Sequence, residues 1–156
     1  QLHFLGKRSL FSNPISSAFL TAVNVHPLNR DGQALEALRW NMGLLANDKP
    51  IALFPEGTRS FGEGMGKGHP GVAYLAIKSQ APILPVGITG TENVRGYLRL
   101  PFPFCRMTVT IGDPFTLPSV EGKITRAVLQ NMTDMIMYRV ASLLPPDYRG
   151  YYAFVS

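Results

Sequence analysis

Ile51-Ala52-Leu53-Phe54-Pro55-Glu56-Gly57-Thr58-Arg59-Ser60 is the stretch on which the reading of this chain turns. Ile51 to Phe54 is a short apolar run after Asp48-Lys49-Pro50, the pattern of a buried strand. It passes without a spacer into a loop built on Pro55 and Gly57. In α/β sheets, ligands gather at the carboxyl ends of strands. Gly57 lets the backbone turn tightly with its N–H exposed. Arg59 can grip a phosphate or carboxylate through two parallel hydrogen bonds. Glu56 can accept a bond from a hydroxyl or orient an arginine. An ordinary strand–loop connection with a surface ion pair would use the same residue types, so chemistry alone leaves both readings open.

Outward from this loop, strand and helix patterns alternate. Leu2 to Leu5 reads as a short strand. Pro14 sits just inside a helix running to about Val23, with Ser12 or Asn13 as its cap. Val23 and Val25 alternate toward a turn at Pro27-Leu28-Asn29. Leu35, Leu38, Met42 and Leu45 recur at three- and four-residue spacing and predict an amphipathic helix over 33–46. Pro70 opens a helix through Lys78, and Ile83 to Ile88 is a second apolar strand. Met107 to Ile111 is rich in β-formers, with Val109 and Ile111 on one face. Ile124, Val128, Met132, Met135, Ile136, Val140 and Leu143 mark a long helix that Pro145-Pro146 ends. Met132, Met135 and Met137 read as core and groove packing. Gly and Pro cluster at 55–71 and 96–103, which read as loops. The alternation predicts an α/β fold with a mostly parallel sheet flanked by helices. Ile51–Phe54 and Ile83–Ile88 are its expected buried central strands.

Composition narrows the function. The chain has 156 residues, 46% hydrophobic and only 16% charged. One domain of this size buries about two-thirds of its unfolded surface, enough to fold without disulfide or metal. The composition excludes a disordered tail, a coiled coil and a highly charged nucleic-acid arm. No apolar run is long enough to read as a spanning helix. The single cysteine, Cys105, excludes an internal disulfide and a cysteine-based zinc site. Fifteen Lys and Arg against ten Asp and Glu leave a net charge of +5. Such a basic, apolar, charge-poor chain suits an anionic partner: a phosphate substrate, a phospholipid surface or nucleic acid.

Phe54-Pro55-Glu56-Gly57-Thr58-Arg59-Ser60 resembles a signature of the glycerolipid acyltransferases, the family that includes the 1-acylglycerol-3-phosphate acyltransferases. The match is highly specific and has company. Ile83-Leu84-Pro85-Val86-Gly87-Ile88 looks like the family's later proline-containing strand, which lines the acyl site. Phe4-Leu5-Gly6-Lys7-Arg8-Ser9-Leu10-Phe11 is similar to the basic element after its first block. Val25 to Gly32, with Arg30, resembles its second block. Lys67-Gly68 through Lys78 resembles its glycine-led helix, and Leu143 to Tyr151 a tail found in bacterial members.

The resemblance implies a single acyltransferase domain over 1–156 with a glycerol-3-phosphate acyltransferase-like fold. It implies transfer of a fatty acyl group from acyl-CoA or acyl carrier protein to a lysophospholipid hydroxyl, turning 1-acylglycerol-3-phosphate into phosphatidic acid. No cofactor, metal or covalent acyl-enzyme is expected beyond the thioester co-substrate. Arg30 and the Glu56-Gly57-Thr58-Arg59 loop would hold the glycerol phosphate, with Lys7 and Arg8 as further substrate contacts. The setting would be a membrane surface at its cytoplasmic face, without nucleic acid.

In the family the base is the histidine of a His-x4-Asp motif, which deprotonates the acceptor hydroxyl while the aspartate holds its tautomer. That block should precede Lys7-Arg8, so the expectation is an N-terminally truncated domain with little activity by itself. His3 has no aspartate five residues on. A formal match does occur at His26-Pro27-Leu28-Asn29-Arg30-Asp31. It falls where the substrate-binding second block belongs and reads as coincidence, leaving His26 and Asp31 as the formal alternative for the base.

Other patterns compete. Gly66-Lys67-Gly68-His69-Pro70-Gly71 spells a dinucleotide fingerprint with Glu92 further on, but no strand leads into it and Pro70 occupies the turn. Lys67 precedes Gly68, not Ser or Thr, so there is no Walker A pattern. His3, His26 and His69 lack metal-ligand spacing. Val94 to Met107 interleaves Arg95, Arg99 and Arg106 with aromatics. That mixture suits single-stranded nucleic acid, a membrane interface or a packed loop. A non-catalytic basic module for anionic membrane or nucleic acid, and a nucleotide-binding domain, are therefore the alternatives to the enzyme.

Overall fold

The structure is a computed structural model that describes residues 1–28, 34–58, 64–91 and 106–153. Strand β1 (His3–Lys7) runs into a 3-10 turn at Arg8–Phe11, then helix α1 (Pro14–Ala22). Asn13 caps α1: its side-chain oxygen accepts from the Ile15 N–H at 2.9 Å, and Pro14 costs the first turn no hydrogen bond. Strand β2 (Val25–Leu28), helix α2 (Ala34–Leu45) and strand β3 (Ile51–Ala52) follow. Helix α3 (Gly71–Ser79), strands β4 (Val86–Thr89) and β5 (Thr108–Ile111), and helix α4 (Arg126–Ser142) complete the order. Thr125 caps α4 by accepting from the Val128 N–H at 3.3 Å. Two 3-10 turns, Pro146–Tyr148 and Gly150–Tyr152, close the described chain.

Three strands form a parallel sheet in the order β2-β1-β3, with α1 and α2 as its crossovers. This is the α/β architecture that the alternating pattern predicts. Three details differ from the sequence reading. Ile51–Phe54 is not a buried central strand: β3 spans two residues on the outside of the sheet, both half-buried, and Phe54 is 71% exposed. Ile83–Ile88 is not central either. Pro85 has no N–H to give to a ladder, so Ile83 makes an isolated bridge to Phe115 and the regular strand starts at Val86. That strand pairs antiparallel with β5 in a separate two-stranded sheet, leaving Val86 and Ile88 exposed. Finally, Pro27 lies inside β2 opposite Gly6, where a turn is predicted. An outer strand tolerates the missing N–H.

The core gathers on α4. Met137 and Ala141 pack with Met65, Leu144 and Tyr152 on one side. Ile136 packs with Ala73, Ala76 and Ile77 of α3 and with Leu117 on the other. Met132 lies against this second cluster, whereas Met135 is 41% exposed and outside the core.

Candidate active site

Parallel pairing sends the carboxyl ends of all three strands to one edge of the sheet. Lys7 lies opposite Leu28, and Phe4 opposite Ala52. The chain therefore leaves β1 at Lys7-Arg8 and leaves β3 at Phe54-Pro55-Glu56 on the same edge. The connection from β1 goes to one side and the connection from β2 returns to the other. An order of this kind opens a crevice between the ends of β1 and β3. Lys7 and Arg8 are exposed there, and Arg8 begins the 3-10 turn.

The loop after β3 is tightly specified. Gly57 adopts φ +65°, a region that an L side chain enters only with strain, and its N–H bonds the Phe54 carbonyl at 2.9 Å. A Cβ there would also come within 3.1 Å of the His69 ring. His69 donates its backbone N–H to the Pro55 carbonyl at 2.8 Å. One carboxylate oxygen of Glu56 accepts from the Gly66 N–H at 2.6 Å. Glu56, read from sequence as a partner for a hydroxyl or an arginine, is thus also a strut to the next segment. Thr58 is exposed at the end of the described loop. Arg30, Asp31 and Arg59 lie outside the described residues, as does 94–105 of the arginine- and aromatic-rich stretch.

Two of the histidines contact one indole. His26, on β2, stacks on Trp40 of α2 with ring centroids 4.6 Å apart and planes 15° apart. His3, on β1, meets the same indole edge-on at 6.4 Å. Trp40 thereby docks α2 against two strands. Arg8, Ser12, Ser17, Thr21, His26 and Glu36 line an open hollow beside β2.

The Gly66–Gly71 pattern is no phosphate loop. Residues 64–70 contain no strand, and Gly68 lies flat on α4, where a Cβ would meet Met137 Cγ at 2.7 Å and Thr133 Cγ2 at 2.8 Å. The Gly68 N–H donates to the buried Tyr152 hydroxyl at 3.1 Å, and that hydroxyl donates to Asp134 Oδ1 at 3.0 Å. Burial, first, and then Asp134 push the Tyr152 hydroxyl up to about 12, while the Gly68 bond acts the other way. Sequence reasoning missed this network. Tyr152 and Gly68 are 84 residues apart, and no local pattern joins them.

Residues 1–89 match the Acyltransferase family. The chain is 24% identical over 143 residues to the 1-acyl-sn-glycerol-3-phosphate acyltransferase of Bacillus subtilis, covering 92% of this chain and 69% of that protein. It is 36% identical over 150 residues to a 1-acyl-sn-glycerol-3-phosphate acyltransferase of Chlamydomonas reinhardtii, covering 94% of this chain and 43% of that one. The solved structure of the 1-acyl-sn-glycerophosphate (LPA) acyltransferase PlsC from Thermotoga maritima shares the fold, with a TM-score of 0.61 at 24% identity. That match covers 90% of this chain and 56% of the Thermotoga chain.

Proposed function

The chain belongs to the acyltransferase family, and from that premise we propose that it serves an O-acyltransferase that esterifies a lysophospholipid phosphate, with 1-acylglycerol-3-phosphate as acceptor. The observation that carries the reading is the shared edge of the parallel sheet. Lys7-Arg8 and the Glu56-Gly57-Thr58 loop leave β1 and β3 side by side. Cationic side chains and a glycine turn at a switch point suit a phosphate monoester. In the sequence Arg59 follows Thr58 and Arg30 comes two residues after β2, and both are assigned to the acceptor phosphate.

In the reaction the acceptor hydroxyl attacks the thioester carbonyl. The new C–O bond forms, the C–S bond breaks, and the hydroxyl proton passes to a base as the thiol leaves. His26 is not assigned that base: it lies on β2, in the stretch that resembles the substrate-binding second block, and its ring stacks on Trp40 of α2. The donor is an acyl thioester of coenzyme A or of acyl carrier protein.

A membrane surface is the proposed workplace. No helix among the described residues is long and apolar enough to cross a membrane. Helix α1 nevertheless exposes Ile15 at 82% and Phe19 at 66%, one turn apart, and the chain carries +5. Exposed apolar side chains with net positive charge suit an anionic lipid interface.

The test is phosphatidic acid formation by the full-length protein from lysophosphatidic acid, with acyl-CoA or acyl carrier protein as donor. Acylation of lysophosphatidic acid in preference to lysophosphatidylcholine supports the reading. No acylation of lysophosphatidic acid with either donor overturns it. Turnover by the 156-residue chain that vanishes in His26→Ala would restore His26 as the base.

A further inference from the structure

We propose that Tyr152 is a positioning residue for the acceptor-phosphate loop, holding Pro55-Glu56-Gly57 in place through Gly68. The inference rests on the phosphate role given above to that loop.

The strand behind the loop cannot fix it alone, because β3 makes only two paired positions with β1. The loop is held from its other side by residues 66–69. Gly66 bonds the Glu56 carboxylate, His69 bonds the Pro55 carbonyl, and the His69 ring abuts Gly57. Residues 64–70 belong to no helix or strand. Their order is set from the far end of the chain. Met65 donates to the Tyr148 carbonyl at 2.9 Å and accepts from the Tyr151 N–H at 2.8 Å. Gly68 then donates to the Tyr152 hydroxyl.

Tyr152 is the member of this set whose side chain does the holding. It is 1% exposed, and its hydroxyl accepts from Gly68 while donating to Asp134. Asp134 also accepts from Gln130 Nε2 at 2.9 Å, so the anchor is one face of α4. Phenylalanine would fill the same space and make neither bond. A tyrosine hydroxyl is protonated at neutral pH, and burial raises the pKa of this one further, so it stays a donor to Asp134. The mechanical path runs from α4 through Tyr152 to Gly68, and on through its neighbours to the loop. Displacement of a phosphate-gripping loop by even a fraction of an ångström acts on acceptor binding and orientation.

The experiment is Tyr152→Phe in the full-length protein, with Asp134→Ala as a second variant should the first fail to fold. The Michaelis constant for lysophosphatidic acid should rise about 3- to 10-fold, the span of one neutral hydrogen bond. The constant for the acyl thioester should stay unchanged. Amide hydrogen exchange should quicken at Gly57, Gly66, Gly68 and His69. Unchanged exchange at Gly57, Gly66 and His69 overturns the proposal, as does a parallel change in both Michaelis constants, which a merely structural role would give. If the parent protein does not acylate lysophosphatidic acid, the functional reading fails. The exchange measurement still decides whether Tyr152 holds the loop.

Discussion

Residues 1–58 and residues 64–153 are built differently. The first part contains the parallel sheet, yet its strands are half-buried or exposed throughout. Its single fully buried residue among those described is Asn41, a polar one whose side-chain oxygen has no hydrogen-bond partner among the described residues. The second part holds every buried apolar side chain of the described core, arranged on both sides of α4. The proposed phosphate-binding loop after β3 thus sits on the loosely packed part. Its order is lent by the tightly packed one, across Gly66, Gly68 and His69. Recognition and rigidity are separated along the chain and rejoined by a few hydrogen bonds.

The contrast can be broken most forcefully at Met137, which is completely buried between Met65, Leu144 and Tyr152. Met137→Ala should cost about 2–5 kcal/mol and lower Tm by roughly 5–15 °C. Ile51→Ala in half-buried β3 should cost less than half as much. Equal losses in urea or thermal melts would erase the distinction. Gly68→Ala comes next: the new methyl must displace Met137 or Thr133, an overpacking worth about 1–3 kcal/mol. It should also weaken acceptor binding, which a kinetic assay of the folded variant would detect.

Arg59→Lys should act oppositely, on recognition and not on stability. It keeps the charge but loses the planar fork. The acceptor Michaelis constant should rise roughly tenfold, with the thioester constant and Tm unmoved. An unchanged acceptor constant refutes the role. Tyr152 offers a finer measure through pH. Its folded pKa, about 12, lies above the ordinary value of 10.0, so the folded protein holds this proton more tightly than the unfolded chain. The resulting stability is complete below pH 10 and is lost as the pH rises to 12. Urea midpoints of the parent should therefore fall more steeply across that window than those of Tyr152→Phe. Parallel slopes would contradict the buried bond. The smallest effect is expected at His26→Phe, which preserves a ring against Trp40 and should leave turnover within about twofold. A base would lose about 10²–10⁴-fold.

Local features were legible from the residues alone because they depend on neighbours within about one helical turn. Asn13-Pro14 marked the start of α1, and the spacing of Leu35, Leu38, Met42 and Leu45 marked α2. Pro145-Pro146 marked the end of α4, and Phe54 to Ser60 marked the loop and the family. The sequence by itself also determined that strands and helices alternate, and hence that the sheet is parallel over 3–52. It did not determine which strand lies in the middle. Apolar runs 51–54 and 83–88 resemble central strands, but burial is a property of what packs above and below a run, not of the run. Tertiary structure alone placed β1 between β2 and β3, set β4 against β5 in a second sheet, and stacked His26 on Trp40. It also brought Tyr152 to Gly68 across 84 residues. Contacts at such separation follow from register and chain return, which no window of neighbouring residues contains.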